Sequence, residues 1–313
     1  MNRFSRPEGP PAEVLEDVAG VVGAEVTLVG RLPGGLHVGA MRVVLAGTVH
    51  AVLKTVPRAH PGHLDETSRA RRVVEHMRRR GYPTPAWLGV GATATHVWHL
   101  MEFVDAASAS ELSPSLIGQL MQIIELQAGQ VSEPYDHWSY AWRVAMGRDA
   151  TVAGPDVVET PEQSSLRRAI AGLPGYSSAV SALVERLRRA CADAPPPPEA
   201  PDMVHADVNP GNVLVRDGAV VAVVDIGYAG SGTRATDLTT LLWHTFQDPA
   251  LDGARGRLWT KILDLVGGKG AAVLTATQIL HQLEFFIRHE RHDVVSGVVS
   301  RGHRALDELN TLR

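Results

Sequence analysis

The string Val204-His205-Ala206-Asp207-Val208-Asn209-Pro210-Gly211-Asn212-Val213-Leu214-Val215 sets a carboxylate and an amide five residues apart on a polar loop between two strand-like runs. Thirteen residues after Asn212, Asp225 ends the apolar run Val220-Val221-Ala222-Val223-Val224. An acid that terminates a buried strand is costly unless donors or a cation satisfy it. Phosphoryl transfer uses such a set: one carboxylate to orient and deprotonate an attacking hydroxyl, and an amide oxygen plus a second carboxylate to hold Mg2+ against phosphates. Asp207 fits the catalytic base, and Asn212 and Asp225 fit the metal ligands, with Pro210 and Gly211 supplying the tight turn. Taken singly, Asp207 reads equally well as an Asx turn or helix cap; the combination carries the chemistry. In the first half, Lys54 lies in His50-Ala51-Val52-Leu53-Lys54-Thr55-Val56. A lysine in an apolar strand points at an anion or snorkels from a sheet edge.

The elements that must position these residues follow from periodicity. Residues 12–23 read as a short amphipathic helix. The runs 26–29, 42–46 and 49–56, separated by glycine-containing turns, predict an antiparallel meander. Residues 64–80 have helical spacing that stops at Gly81, ahead of Pro83 and Pro85. Residues 86–91 and 96–104 return to strand character, giving a five-strand, one-helix unit. Helical spacing then dominates 113–129, 136–147 and 162–192, and Pro195 to Pro198 form a rigid spacer. Short strands are predicted at 203–206, 212–216 and 220–225, and helices at 236–247, 254–266, 271–291 and 294–312. No repeat of fixed period is present.

The 313-residue chain is 44% hydrophobic and 20% charged, ordinary for a globular protein. A formal charge of −4 gives no reason to expect nucleic acid or an anionic membrane as partner. Cys191 is the single cysteine, which excludes an intrachain disulfide and suits a reducing compartment. The N-terminal residues carry no apolar signal region, and no uncharged run reaches the roughly 20 residues of a membrane span. A cytoplasmic protein is expected. Arg71-Arg72 and Arg78-Arg79-Arg80 read as solvated helix faces. His289-Glu290-Arg291-His292 departs from a zinc-binding H-E-x-x-H, although its spacing could set both histidines on one helix face.

His205-x-Asp207-x-x-x-x-Asn212 followed by Asp225 resembles the aminoglycoside phosphotransferase family of the protein-kinase-like fold. The fuller strings HADVNPGNVLV and VAVVDIGYAGSGTRATDL are similar to that family's catalytic loop and metal-binding segment. The resemblance implies an α+β, bilobal fold. Residues 1–104 would form a nucleotide-binding lobe with a five-stranded antiparallel sheet and one main helix. Residues 105–313 would form a mainly helical catalytic and substrate-binding lobe. It further implies that Lys54 grips the α- and β-phosphates, that Gly34 and Gly35 lie in the loop over the phosphates, and that the main chain of Glu102 and Val104 pairs with the nucleobase. His205 would support the loop, and Asp237 would buttress it. Pro83-Thr84-Pro85 matches the family's turn after the first-lobe helix. The family usually pairs its lysine with a glutamate on that helix; the corresponding slot here is Ala70, so Glu66, one turn earlier, is the first substitute and Glu75 a weaker one.

ATP or GTP and Mg2+ are the implied cofactors, and a small molecule bearing a hydroxyl is the implied acceptor. The short stretch from Asp225 to Asp237 lacks the longer activation segment a peptide-binding kinase needs. The family includes antibiotic-resistance kinases and metabolic kinases for choline, homoserine and sugars. Polycationic aminoglycosides would call for several carboxylates on the late helices, whereas 281–293 is mixed in charge. Trp138, Tyr140, Trp142, Trp243 and Trp259 offer flat apolar surface or ordinary helix packing. The balance leans toward a less cationic nucleoside, peptide or macrolide antibiotic. A non-catalytic nucleotide-binding regulator of the same fold is the alternative outside enzymology.

Overall fold

The computed structural model describes residues 9–32, 40–132, 134–147 and 159–312. In chain order its elements are α1 (Ala12–Val22), β1 (Val26–Arg31), β2 (Ala40–Leu45), β3 (Val49–Pro57), α2 (His63–Arg79), β4 (Trp87–Ala92), β5 (His96–Glu102), β6 (Ala107–Ser108), α3 (Pro114–Glu125), α4 (His137–Met146), α5 (Pro161–Ala171), α6 (Ser178–Cys191), β7 (Asp202–Val204), β8 (Val213–Arg216), β9 (Ala219–Val223), β10 (Gly230–Gly232), α7 (Ala235–Thr245), α8 (Asp252–Arg288) and α9 (His292–Leu312). The chain is α+β and divides into two compact units, 1–110 with 211–227, and 111–210 with 228–313. The sequence predicts one boundary after residue 104; the contacts instead group the second part of the polar loop and its return strand with the first unit.

In the first unit a five-stranded sheet runs β1-β2-β3-β5-β4, every neighbouring pair antiparallel. Strict alternation in β2 buries Met41, Val43 and Leu45. These pack with Ala51, Leu53, Trp98 and Leu100 beneath Val14 and Val18 of α1. The Trp98 indole N–H donates to the Asp17 carboxylate at 2.7 Å, tying α1 to β5. Gly91 makes room for that ring, since a Cβ there would come within 2.4 Å of it. Because Ala51 and Leu53 face the α1 core, Val52 and Lys54 lie on the opposite face of β3. Helix α2 packs on β4 and β5 and buries Ala70, Val74 and Met77. A smaller sheet, β6-β8-β9, completes this unit.

In the second unit α8 packs against α7, α9, α4 and α6. Its chain breaks at Gly267 (φ 65°, ψ 175°), in the interval the sequence leaves between its two predicted helices, 254–266 and 271–291. The helix predicted over 162–192 is two helices, α5 and α6, around a 3-10 turn at Leu173–Gly175. Pro174 has no N–H to continue the ladder, so the apolar spacing is overridden there. Trp138, Tyr140, Trp142, Trp243 and Trp259 are all buried, so they build the helical core and present no flat apolar surface. The two-stranded β7-β10 pair sets Val204 opposite Gly230 and Asp202 opposite Gly232. Among the described residues no helix is long and apolar enough to cross a membrane.

Candidate active site

Within the first unit, Lys54 and Asp225 meet. Lys54 sits on β3 opposite Ala40 on β2 and His99 on β5. Its ammonium lies 3.0 Å from the Asp225 carboxylate; the lysine side chain is 16% exposed and the aspartate 53%. The β8-β9 hairpin delivers the acid. Val213 pairs with Val223, and the Asn212 carbonyl accepts the Val224 N–H at 2.9 Å, so Asn212 and Asp225 stand at one end of that hairpin. Asp225 has a left-handed backbone (φ 69°), a conformation uncommon for a side-chain-bearing residue and tolerated best by Asn and Asp. The segment is anchored before and after it: Val223 N–H donates to the Pro83 carbonyl at 2.6 Å, and the Arg69 guanidinium donates to the Gly227 carbonyl at 3.0 Å.

His99 flanks the lysine. Its ring stacks on Trp87, centroids 4.1 Å apart and planes 5° from parallel. Burial, and then the Lys54 charge, push its pKa down to about 3, with Asp225 opposing. His99 is therefore neutral and adds no second cation beside Lys54. The glutamates of α2 lie elsewhere: Glu66 is 3.5 Å from His60, and Glu75 pairs with Arg71. Among the described residues, Lys54 takes its ion pair from Asp225.

Glu102 forms a reciprocal pair with Ala86, its N–H donating to the Ala86 carbonyl and its carboxylate accepting the Ala86 N–H, both at 2.9 Å. Its amide hydrogen is thereby used within this pair. The Val104 carbonyl accepts the Ala106 N–H at 2.9 Å, and among the described residues the Val104 N–H has no partner. Arg78 departs from the solvated role expected of its cluster: it donates to the Thr84 carbonyl and lies 3.4 Å from Glu102. Gly34 and Gly35 fall outside the described residues.

Within the second unit, the loop bearing Asp207 is built on Asp237. That side chain is fully buried on α7, and its carboxylate accepts the His205 N–H at 2.8 Å, the Ala206 N–H at 2.9 Å and the Gln127 amide at 2.9 Å. Burial raises its pKa, opposed by His205 and by these donors. Ala206 takes a left-handed φ of 71°. Asp207, exposed, then donates its N–H to His205 Nδ1 at 3.3 Å, and its Oδ1 accepts the Asn209 amide at 2.7 Å. Fixed amides behind an exposed carboxylate leave an oriented acid facing solvent. Further along, His137 Nε2 lies 2.9 Å from the Tyr228 carbonyl and its Nδ1 2.8 Å from the Gln163 amide. A neutral ring protonated on Nε2 satisfies both. His289 and His292 do not share a helix face, because α8 ends at Arg288 and α9 starts at His292.

The donor set suits a divalent cation shared with phosphate. Among the described residues no three His, Cys, Asp or Glu side chains cluster to hold a metal alone. Mg2+ typically takes one or two carboxylates and completes its shell with phosphate oxygens and water. The carboxylate of Asp225 and the amide of Asn212, borne at one end of a hairpin, with the Lys54 ammonium 3.0 Å from the acid, are donors and a cation of the types that pattern uses.

Arg69, His99 and Gln127 were not legible as site residues from sequence. The available signal was for Arg69 alone, which directly precedes Ala70, the slot that the family resemblance assigns to a lysine-pairing glutamate.

No curated protein matches the chain. Among solved structures it is similar to the aminoglycoside phosphotransferase APH(4)-Ia in ternary complex with ADP and hygromycin B, at TM-score 0.64 and 15% identity, covering 95% of this chain and 98% of that one. It is also similar to a provisionally named fructosamine-3-kinase from Thermobifida fusca, at 0.60 and 23%, covering 95% and 100%. A third is the spectinomycin phosphotransferase APH(9)-Ia in complex with ADP and spectinomycin, at 0.58 and 11%, covering 96% and 99%. These likenesses show the aminoglycoside-kinase form of the protein-kinase-like fold. The model of the phosphotransferase enzyme family matches residues 31–268, and the chain belongs to that family.

Proposed function

We propose that the protein transfers the γ-phosphoryl group of ATP or GTP to a hydroxyl of a small molecule. The observation that carries this is the Lys54–Asp225 pair at 3.0 Å, at the end of the hairpin that also bears Asn212. Lys54 binds the α- and β-phosphates, and the carbonyl of Glu102 and N–H of Val104 hold the base. Asn212 and Asp225 hold Mg2+, which when bound neutralises charge on the phosphate oxygens. Gly34 and Gly35 belong to the loop over the phosphates. Asp207 accepts the proton of the acceptor hydroxyl as its oxygen attacks the γ-phosphorus. The bond from the γ-phosphorus to the β–γ bridging oxygen breaks, and a nucleoside diphosphate leaves. Catalysis is positioning and charge neutralisation. Glu66, paired with His60, is left with a supporting role on α2.

The acceptor is an antibiotic or a hydroxylated metabolite. Relatives crystallised with hygromycin B and spectinomycin favour the first; the fructosamine-3-kinase likeness favours a sugar-derived metabolite. The burial of the five aromatic residues removes one argument for a less cationic antibiotic. No nucleic-acid or membrane partner is needed for this reaction, and a cytoplasmic location supplies its Mg-nucleotide. The test is an ADP- and GDP-release screen across antibiotics and primary metabolites, with mass spectrometry of the product. A phosphorylated product identifies the acceptor class; nucleotide binding with no transfer to any alcohol supports the regulator instead.

A further inference from the structure

Four of the contacts that secure the Asp225 segment lie inside the first unit. Val223 N–H is held by Pro83, Val224 N–H by the Asn212 carbonyl, the Asp225 carboxylate by Lys54, and the Gly227 carbonyl by Arg69. The first two are backbone contacts of a hairpin and its neighbouring turn. The third is the ion pair a phosphate would compete for. The fourth is the side-chain tie from α2, made by a long guanidinium that is partly buried and comes from the position before buried Ala70. It ties the main chain two residues after Asp225, and Asp225 itself sits in a left-handed conformation that its neighbours must maintain.

We infer that Arg69 is a positioning residue for the metal-binding carboxylate. Its bond to the Gly227 carbonyl holds the backbone of Asp225-Ile226-Gly227 in the conformation that presents Asp225, so that α2 sets the metal affinity of the site through the chain. This rests on the reading of Asp225 as a metal ligand. Arg69 touches neither phosphate nor metal in this scheme, and its effect is confined to how well the carboxylate is aimed.

The experiment uses the full chain and a fluorescent ATP analogue. Binding is titrated with and without Mg2+, and ADP release is followed against Mg2+ concentration for wild type, Arg69→Ala and Arg69→Lys. Removing a partner that orients a metal ligand typically costs 10- to 100-fold in metal affinity. Arg69→Ala is therefore expected to raise the Mg2+ concentration for half-maximal ADP release by roughly tenfold, while metal-free nucleotide binding is unchanged. Arg69→Lys, which retains a donor, recovers most of the loss. A general loss of folding would lower binding in both conditions alike, and that pattern, or an unchanged Mg2+ requirement in Arg69→Ala, overturns the inference. Wild-type protein that binds nucleotide with no dependence on Mg2+ overturns the metal-site reading and the inference with it.

Discussion

Lys54 and Asp225 neutralise each other across 3.0 Å, one from the third strand of the sheet and the other from just beyond the β8-β9 hairpin. The pair is half-open to solvent on the aspartate side. An ion pair so exposed is worth at most about 1 kcal/mol. Asp225→Asn should therefore leave the unfolding free energy within about 1 kcal/mol of wild type while abolishing Mg2+-dependent turnover. Denaturant unfolding and steady-state ADP release, run on one preparation, separate the two effects.

Glu66 and Lys54 should behave as strangers. With Glu66 beside His60 at 3.5 Å, Glu66→Ala is expected to change the nucleotide KM by no more than about twofold, the scale of an exposed pair. Lys54→Ala should raise that KM far more. Equal effects in the two variants would show that Glu66 swings onto the lysine when nucleotide binds.

Asp237 carries the loop on which Asp207 stands. Deleting its carboxylate strands the His205 and Ala206 amides and the Gln127 amide in a buried site. Asp237→Ala should cost about 3 kcal/mol or more, from buried donors left unpaired, and turnover should fall as well. Chemical denaturation of Asp237→Ala and Asp237→Asn measures it; the asparagine, which keeps one carbonyl acceptor, should lie between alanine and wild type.

Acid stability follows from three histidines. Burial holds His244 and His281 at a pKa of about 4, and His99 at about 3, against 6.5 for the free side chain. The unfolded chain then binds protons that the folded chain refuses, so stability is lost as pH falls from 6.5 toward 4. Asp237, raised by burial, acts in the opposite sense. Replacing His281 by asparagine, which keeps a partner for the Tyr140 hydroxyl, should lower the proton uptake on unfolding at pH 5 by about one. The slope of unfolding free energy against pH reads this directly.

The polar loop and the sheet were legible because their signals are local. Alternation in β2 and β3, and the interval from Asp207 to Asn212, survive in the bare sequence. Lys54's choice of partner did not, because it depends on how a hairpin far along the chain returns to β3. Arg69 hid among neighbouring arginines, since the rotation of α2 decides which of them faces the Asp225 segment. The strand Gly230–Gly232 has no β-branched or aromatic residue, and only pairing with Asp202–Val204 makes it a strand. The tryptophans of the helical unit were ambiguous for a simpler reason: hydrophobic area has the same composition whether it lines a core or a pocket.

The sharpest test is phosphoryl transfer from γ-labelled nucleotide to the acceptor found by screening, compared between wild type and Asp207→Asn at matched nucleotide occupancy. Label should pass to the alcohol with wild type and fail to pass with the variant, although both bind the nucleotide equally. Transfer at the wild-type rate by Asp207→Asn would contradict the assignment of the base and the mechanism built on it.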